Sequence, residues 1–385
     1  MRISIKYLAA LTLAVVMSCQ KQDPSPDRIY SEGGLISFST RVETRAPIIE
    51  ELDGRSFGVY GYSFSNLTNW NTAKTRATPN VFHNQLVNCG EGGACSYTFS
   101  PIIAKDENGN NVQLEYGDLI NNHREWDLSK GYAFFAYYPY ATGGNGVTPS
   151  GSMQMADPFL DYELPFQKDE DVVYPDELQD IMTAKRPEYK PTMGTTVRFA
   201  FSHRLFCIDL YGHNFNASDI TISDLSVKLS GIEYTKSRIY LDDARTDQNN
   251  QPLPTSIPSK SDDWSTDSEV TIPIIYDGAS VTLPAGKTSS LSTYEVTENN
   301  TTTAYDNNIM LIPQDSSVEG SAGLTVEINF KKDGIQKEPL KATYNVNFEA
   351  PYKYSLTINF VGENAILVAA EPAPWDAKTV NHTFD

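Results

Sequence analysis

The clearest alternation of hydrophobic and polar positions lies near the middle of the chain, between Thr195 and Gly212. Its first part places Val197, Phe199 and Phe201 on one side, a period of two that is typical of a half-buried β-strand. After His203 the apolar positions change parity. This change predicts either a β-bulge or a strand that is buried on both faces.

The segment before this strand, Lys185 to Gly194, contains two prolines and a glycine. These residues interrupt regular secondary structure. We interpret the segment as a hinge between two β-domains, with Val197 beginning the second. The length of 385 residues agrees with two domains of ordinary size.

Short strand patterns recur along both halves of the chain, with turn signals between them and almost no helical periodicity. An aromatic run within Trp126–Tyr140 predicts a central strand that is buried on both faces. The segments 352–360 and 365–370 form a hairpin pattern around a G-E-N turn. The whole pattern favours an all-β chain of two β-sandwiches.

Three polar stretches, 65–96, 141–157 and 242–268, are interpreted as loops. One short helix is expected around Asp176–Met182.

The aromatic content and the net charge of the chain bear on its fold and on its partners. The chain has 22 Tyr and 17 Phe, residues that favour pleated, half-buried surfaces. Its formal net charge of −19 gives a surface that repels nucleic acid and anionic lipid. We therefore expect no nucleic-acid partner.

The N-terminal segment 1–18 has the features of a signal peptide, with a positively charged start followed by a short apolar run. The run is too short to span a bilayer, which takes roughly 20 residues. The sequence V-V-M-S-C that closes it resembles a bacterial lipobox, with Cys19 as the first mature residue. This resemblance implies cleavage by signal peptidase II and a diacylglyceryl thioether on Cys19, with palmitate among its acyl chains. Residues 19–34 are interpreted as a polar, proline-bearing tether.

No constellation of residues indicates an enzyme. The chain lacks G-x-S-x-G, H-E-x-x-H, P-loop and G-x-G-x-x-G motifs. Its five histidines are scattered, without a pair at a helical metal-ligand spacing. The acidic segment 106–111 is interpreted as a turn, because its glycine comes too early for a calcium loop. We therefore expect no catalytic residue, no cofactor and no metal.

Cys89 and Cys95 flank the flexible sequence G-E-G-G-A. They can either close a small disulfide in an oxidising envelope or remain free, and the sequence leaves both alternatives open. Cys207 alternates with apolar residues and is interpreted as an inert core thiol.

Several ordered pieces of the chain together resemble the fimbrillin family of Bacteroidales, the subunits of type V pili. They are the lipobox, I-S-F-S-T followed by T-R-A, F-G-V-Y-G-Y, Y-A-F-F-A-Y-Y-P-Y, D-E-L-Q-D-I-M-T-A-K, F-S-H-R-L-F-C-I-D-L, and P-Y-K-Y-S-L-T-I-N-F followed by A-P-W. The resemblance covers residues 35–376.

This resemblance implies two tandem transthyretin-like Greek-key β-sandwich domains, which we place at 35–190 and 191–385. It also implies export as a lipoprotein to the surface of the outer membrane and polymerisation with other fimbrial subunits by strand exchange. In the family, an Arg-specific protease removes the N-terminal strand, and the C-terminal strand of a neighbour fills the vacated groove.

Carried onto this chain, the resemblance places the protease cleavage after Arg45, leaving Ala46 as the new N-terminus. The alternative is that the T-R-V-E-T-R sequence around Arg41 is only a polar strand face. Ile366 and Val368 belong to the candidate donor strand. The tail beyond Trp375 departs from the family pattern.

The leading hypothesis is therefore a structural fimbrial subunit that serves adhesion. The alternative is a monomeric surface lipoprotein that binds a glycan or host protein through the loops 65–96 and 242–268. Trp70 and Trp264 in these loops would then stack against sugar rings.

Overall fold

The computed structural model describes residues 34–42, 52, 54–74, 81–90, 94–99, 103–105, 111–113, 124–144, 146–150, 157–166, 172–247, 251–262, 264–298, 301–369 and 372–374. The regular secondary structure of these ranges is almost all β-strand, which confirms the prediction of an all-β chain. They contain a four-residue helix, α1 (Trp70–Ala73), and a 3-10 turn at Pro175–Glu177. None of the helices in these ranges is long and apolar enough to cross a bilayer.

The first fourteen strands along the chain are β1 (Ser37–Val42), β2 (Ser56–Ser65), β3 (Phe82–Cys89), β4 (Ala94–Ser96), β5 (Ile103–Lys105), β6 (Asn111–Gln113), β7 (Lys130–Tyr138), β8 (Val147–Pro149), β9 (Phe159–Glu163), β10 (Met182–Tyr189), β11 (Thr196–His203), β12 (Phe206–Asn214), β13 (Ile220–Ser230) and β14 (Lys236–Tyr240). The strands that follow are β15 (Ser256–Ser259), β16 (Glu269–Leu283), β17 (Thr288–Ser290), β18 (Thr293–Glu298), β19 (Thr301–Asp306), β20 (Ile309–Leu311), β21 (Gln314–Asp315), β22 (Leu324–Lys332), β23 (Ile335–Gln336), β24 (Leu340–Tyr344), β25 (Asn347–Phe348), β26 (Tyr352–Val361), β27 (Asn364–Ala369) and β28 (Ala373–Pro374).

The N-terminal half forms a closed barrel with the strand order β1-β11-β10-β7-β2-β3-β4. β4 closes it by pairing with β1. The β1–β11 pair is parallel, and the other pairs of the barrel are antiparallel. Alternate side chains point inward and make a core rich in aromatic rings.

The C-terminal half contains two larger sheets. One has the order β17-β12-β26-β27, with β20 paired to β12 and β28 to β26. The other has the order β16-β13-β22-β23, with β24 paired to β22. Buried side chains of both sheets share one core, in which the Phe330 and Phe360 rings meet at 5.7 Å. β12 and β26 are parallel neighbours at the centre of the first sheet.

β7 carries the aromatic run that the sequence predicts to be buried on both faces. Tyr132 and Phe134 point into the barrel core, while Phe135 and Tyr137 belong to the core shared with the C-terminal half. The prediction of a doubly buried central strand is confirmed. The outer face of β7 also joins the two halves through a continuous apolar contact.

The interpretation of Lys185–Gly194 as a hinge is wrong. Residues up to Tyr189 belong to β10, which pairs antiparallel with both β7 and β11. The proline- and glycine-containing remainder is the loop of a hairpin, in which the Thr195 N–H donates to the Thr192 carbonyl at 3.1 Å. Proline and glycine mark hairpin loops as strongly as domain linkers, and the sequence pattern does not separate the two cases.

The expected start of the second domain at Val197 needs a matching correction. Val197 lies in β11, a barrel strand, and the chain passes to the next sheet only at Arg204 and Leu205. This passage explains the change of parity after His203. β12 is buried on both faces from Phe206 to Leu210, which agrees with the second of the two predicted explanations.

Two of the predicted loops contain strands of a sheet that joins the halves through the pairing of β9 with β14. β8, inside 141–157, and β15, inside 242–268, are the outer strands of a four-stranded sheet with the order β15-β14-β9-β8. The predicted loop 65–96 contains α1, β3 and β4. The expected helix at Asp176–Met182 is reduced to the turn at Pro175–Glu177, and Met182 begins β10.

Candidate assembly site

The candidate site is the slot that β1 occupies in the barrel wall, between β11 and β4. Phe38 pairs with Val197 of β11 on one side and with Cys95 of β4 on the other. β1 is six residues long, and it is the first strand of the described chain. It is therefore a short strand that completes a closed sheet.

The inward face of β1 fills the end of the barrel core. Ile36, Phe38 and Thr40 are buried, whereas Ser37 and Ser39 between them are only partly covered. This alternation follows from the period of two in a strand. The Phe38 ring lies 5.5 to 6.0 Å from the rings of four residues that other strands and loops supply, namely Phe82, Tyr97, Phe134 and Phe199.

Polar contacts hold the start of β1 in register. The Ile36 N–H donates to the Arg124 carbonyl at 2.7 Å, and the Tyr97 hydroxyl donates to the Ile36 carbonyl at 3.0 Å. The Ser37 and Thr196 hydroxyls are 2.8 Å apart. Burial raises the pKa of Tyr97 to about 12, although the Arg124 N–H and charge act in the opposite direction. Tyr97 is therefore a neutral donor at physiological pH.

A disulfide bond joins Cys89 of β3 to Cys95 of β4, beside β1. The sequence left this bond open as one of two alternatives. The Thr40 hydroxyl lies 3.8 Å from the Cys89 sulfur. β4 shares only two paired positions with β3, so the bond anchors a very short strand. Cys207 is a buried free thiol, and burial raises its pKa.

The candidate protease sites lie within β1 or after it. The backbone of Arg41, in β1, pairs with Ala200 of β11, so the peptide bond after Arg41 lies within the sheet. Arg45 and Ala46 lie outside the described residues, as does Cys19. Arg55, just before β2, is exposed and donates to the Tyr138 hydroxyl at 2.8 Å.

The candidate donor residues Ile366 and Val368 lie in β27, which pairs with β26 as the predicted hairpin. Their side chains are 55% and 43% exposed and face away from the core. β28 continues along β26, and the chain beyond Pro374 lies outside the described ranges. β27 is an edge strand whose outer face presents apolar side chains to solvent.

The two tryptophans that the binding alternative relied on are buried. Trp70 is 2% exposed and donates its indole N–H to Asp242 Oδ2 at 3.0 Å. Trp264 is 5% exposed and donates to the Ile232 carbonyl at 3.0 Å. Neither indole face is free to stack on a sugar, because both pack within the protein core.

Asp242 is the centre of a polar cluster between the two halves, which sequence reasoning did not find. The Asp242 carboxylate accepts a hydrogen bond from the Trp70 indole and a second one, at 3.0 Å, from the Ala244 backbone N–H. The Lys74 and Lys185 ammonium groups lie 3.9 and 3.7 Å away. Asp242 stands in a stretch that looks like an ordinary acidic loop, and its burial depends on contacts with α1 and β10. Within the described part of the chain, no group of three or more His, Cys, Asp and Glu residues is arranged to hold a metal ion.

Comparison with known proteins gives one family and several matching solved structures. A model of the family described as fimbrillin-like matches residues 44–375. Among solved structures, a fimbrial protein from Bacteroides vulgatus is 17% identical, with 88% of this chain and 99% of that chain covered and a TM-score of 0.47. A candidate cell-adhesion protein from Bacteroides ovatus is 13% identical, with 89% and 98% covered and a TM-score of 0.47. A search of curated proteins found no match.

Proposed function

This chain belongs to the fimbrillin-like family, and on that premise we propose that it is a lipid-anchored precursor of a surface fimbrial subunit that serves adhesion. In this proposal Cys19 carries the lipid, an Arg-specific protease cuts after Arg45, and subunits join by exchange of strands. The family assignment supports the fimbrial role. The position of β1 supports the route of assembly.

The single observation that carries the proposal is the slot of β1. Cleavage after Arg45 would separate the whole of β1 from the rest of the chain, because β1 ends at Val42. The groove left behind would have unpaired backbone edges on β11 and β4 and an apolar pocket where Phe38 had been. Such an edge invites an added strand, whose backbone supplies ladder hydrogen bonds and whose alternate side chains fill the pocket.

We assign the incoming strand to the C-terminal region of a neighbouring subunit. Ile366 and Val368 already alternate on the exposed face of β27. β27 is paired with β26, however, and its transfer would cost the hairpin bonds of its own subunit. The segment after Trp375 incurs no such loss of β27 pairing, so it is the second candidate for the donor.

Two deletions separate these donors. Removal of 377–385 takes away the terminal tail alone, and removal of 365–385 takes away β27 as well. We expect at least the longer deletion to abolish polymers on mild detergent gels, provided that circular dichroism shows an intact β-fold. Polymers of normal length from a folded chain lacking both segments would refute the C-terminal donor.

Maturation is tested by mass spectrometry of assembled surface material. We expect the mature N-terminus at Ala46, and we expect Arg45→Ala to remain in the precursor form while Arg41→Ala matures normally. Peptides from 35–45 in assembled fimbriae would refute removal of β1. Cleavage at Arg55 would keep the mechanism and move the site.

The lipid anchor is tested separately. Two or three acyl chains, at about 0.8 kcal/mol per buried methylene, anchor a protein durably. Cys19→Ala should therefore release the protein from the outer membrane and abolish incorporation of labelled palmitate. A variant that still takes up palmitate and stays in the membrane fraction would contradict the assignment of Cys19.

A further inference from the structure

A second pair of side chains lies apart from the β1 slot, at the centre of the sheet that contains β12 and β26. Asp209 is on β12 and Lys353 is on β26, and the Nζ of Lys353 lies 3.5 Å from the Oδ2 of Asp209. The two strands are parallel neighbours over eight paired positions, with Cys207 opposite Lys353 and Asp209 opposite Ser355. Residues two apart in a strand share a face, so both side chains project on the same side of the sheet.

The surroundings of Asp209 are unusual for a carboxylate. It is 2% exposed, and neither of its oxygens has a hydrogen-bond partner within the described part of the protein. Asp242 is equally buried, but it accepts hydrogen bonds from Trp70 and Ala244. A buried ion pair is normally retained only where further hydrogen bonds satisfy its remaining lone pairs. Among the described residues, the carboxylate of the Asp209–Lys353 pair has none of these hydrogen bonds.

We propose that Lys353 and Asp209 condense to an intramolecular amide that crosslinks β12 to β26. A proton first moves from Nζ to the carboxylate, which turns the ion pair into an amine beside a carboxylic acid. The Nζ–Cγ bond then forms and a Cγ–O bond breaks, and the oxygen leaves as water with the two protons that the ammonium loses. Both charges disappear, and the step needs no oxidant, reductant or other reagent.

The fold supplies what such a condensation requires. Pairing of β12 with β26 holds the Lys353 Nζ 3.5 Å from the Asp209 Oδ2, so the amine lies beside the carboxyl group whose carbon it would attack, and the two reactants do not have to find each other in solution. Removal of two buried charges also relieves their desolvation cost, which favours the amide over the separated groups in this environment. The Lys353 side chain is 15% exposed, so the released water has a way out.

The charge state of Lys353 determines the rate of the condensation, because only the neutral amine is nucleophilic. Burial opposes its charge, but neighbouring acidic groups, Cys207 and Asp209 first among them, outweigh burial and raise the pKa of the ammonium. The reactive amine is therefore a minor form at neutral pH. Because the amide does not revert in a folded protein, slow formation still leads to complete crosslinking.

The position of the crosslink gives it a mechanical role, and this part of the inference rests on the proposed function. Under tension, force would enter a subunit through its barrel and leave through its C-terminal segment. β12 is the first strand after the barrel, and β26 is the last long strand before β27 and the tail. An amide between them would carry force directly between these strands and bypass residues 210–352.

The test is the intact mass of the full, denatured and unassembled chain. We expect a loss of one water relative to the sequence, after correction for the disulfide. Trypsin should release peptide 205–228 joined to peptide 342–378, because cleavage after a modified Lys353 is blocked. Asp209→Ala and Lys353→Arg should each restore the full mass. As a matched control, Asp242→Asn should keep the loss of water and the branched peptide.

The wild-type measurement alone is able to refute the proposal, whatever the folding of the variants. Separate peptides 205–228 and 342–353 from the wild-type chain, with no branched product, would overturn it. A loss of water located elsewhere in the chain, such as a succinimide, would overturn it as well. Because the protein is measured before assembly, this result is independent of whether the chain forms fimbriae.

Discussion

The substitution Phe38→Ala measures how much the buried Phe38 ring stabilises β1 in the barrel. Phe38 is 2% exposed and is surrounded by four aromatic rings. Truncation of a buried phenylalanine to alanine costs about 3–5 kcal/mol, because apolar contact is lost and a cavity remains. Ser39 is the matched control, since it is the next residue in the same strand and points outward. Ser39→Ala should change the free energy of unfolding by no more than about 0.5 kcal/mol.

Arg41 gives this substitution a local assay. Its backbone is paired inside β1, so trypsin reaches the bond after Arg41 only when β1 leaves the sheet. When reclosing is fast, the cleavage rate follows the population of the open state. Since 1.4 kcal/mol corresponds to a factor of about ten, a cost of about 3 kcal/mol raises this population about a hundredfold. The rate should be followed in an Arg45→Ala background, which removes the neighbouring site.

The outcome that would refute this reasoning is equal cleavage in the two variants. If Phe38→Ala and Ser39→Ala are cut after Arg41 at the same rate as the parent chain, the Phe38 ring does not hold β1. Urea unfolding provides an independent check, because a loss below about 1 kcal/mol for Phe38→Ala would contradict the burial of its ring.

Three further predictions concern the neighbourhood of β1 and the contact between the halves. Replacement of Cys89 and Cys95 by serine should lower the free energy of unfolding by about 2 kcal/mol, because the loop that the disulfide closes is short, and urea titration of the oxidised parent and the variant measures the difference. The pKa of Tyr97 in the folded protein, about 12, lies above its ordinary value of 10.0, so the stability that the neutral hydroxyl contributes is complete below pH 10 and is lost as the pH rises toward 12. Tyr97→Phe should therefore flatten the dependence of the unfolding free energy on pH between 10 and 12. An unchanged slope would contradict the burial of the Tyr97 hydroxyl. Asp242→Ala leaves the Trp70 indole N–H without its acceptor and should cost about 1–3 kcal/mol in thermal or urea unfolding, whereas Asp243→Ala, at a more exposed carboxylate, should cost less than about 1 kcal/mol.

The sequence predicts the strands well wherever neighbouring side chains alternate or form long apolar runs. β7 and the β26–β27 hairpin follow directly from such patterns, and so does the all-β class. The hinge at Lys185–Gly194 was wrong because proline and glycine mark any break in a strand, and only the pairing of β10 with β11 shows that this break is a hairpin loop. Local pattern has no information about which strands pair.

The candidate site was likewise predicted from the sequence only in part. Alternation around Phe38 predicts a strand, and the disulfide between Cys89 and Cys95 was one of two alternatives. The parallel pairing of β1 with β11 is a contact between residues far apart in the chain, which local periodicity does not encode. Asp209 is a similar case. Its sequence neighbours are apolar, but the environment that leaves it without a hydrogen-bond donor among the described residues depends on strands β20 and β26, which pair with β12.

The construction of the β1 slot suggests why one strand of a closed barrel is able to be exchanged. The rings that surround Phe38 belong to residues outside β1, so the walls of the pocket do not leave with the strand. One wall, β11, is an eight-residue strand that pairs with β10 at two positions, Met182–His203 and Thr183–Ser202. The other wall, β4, is only three residues long, and one of its two paired positions with β3 joins Cys89 to Cys95. The disulfide ties β4 to β3 at this point. In the proposed assembly it therefore preserves the groove between the loss of one strand and the arrival of the next.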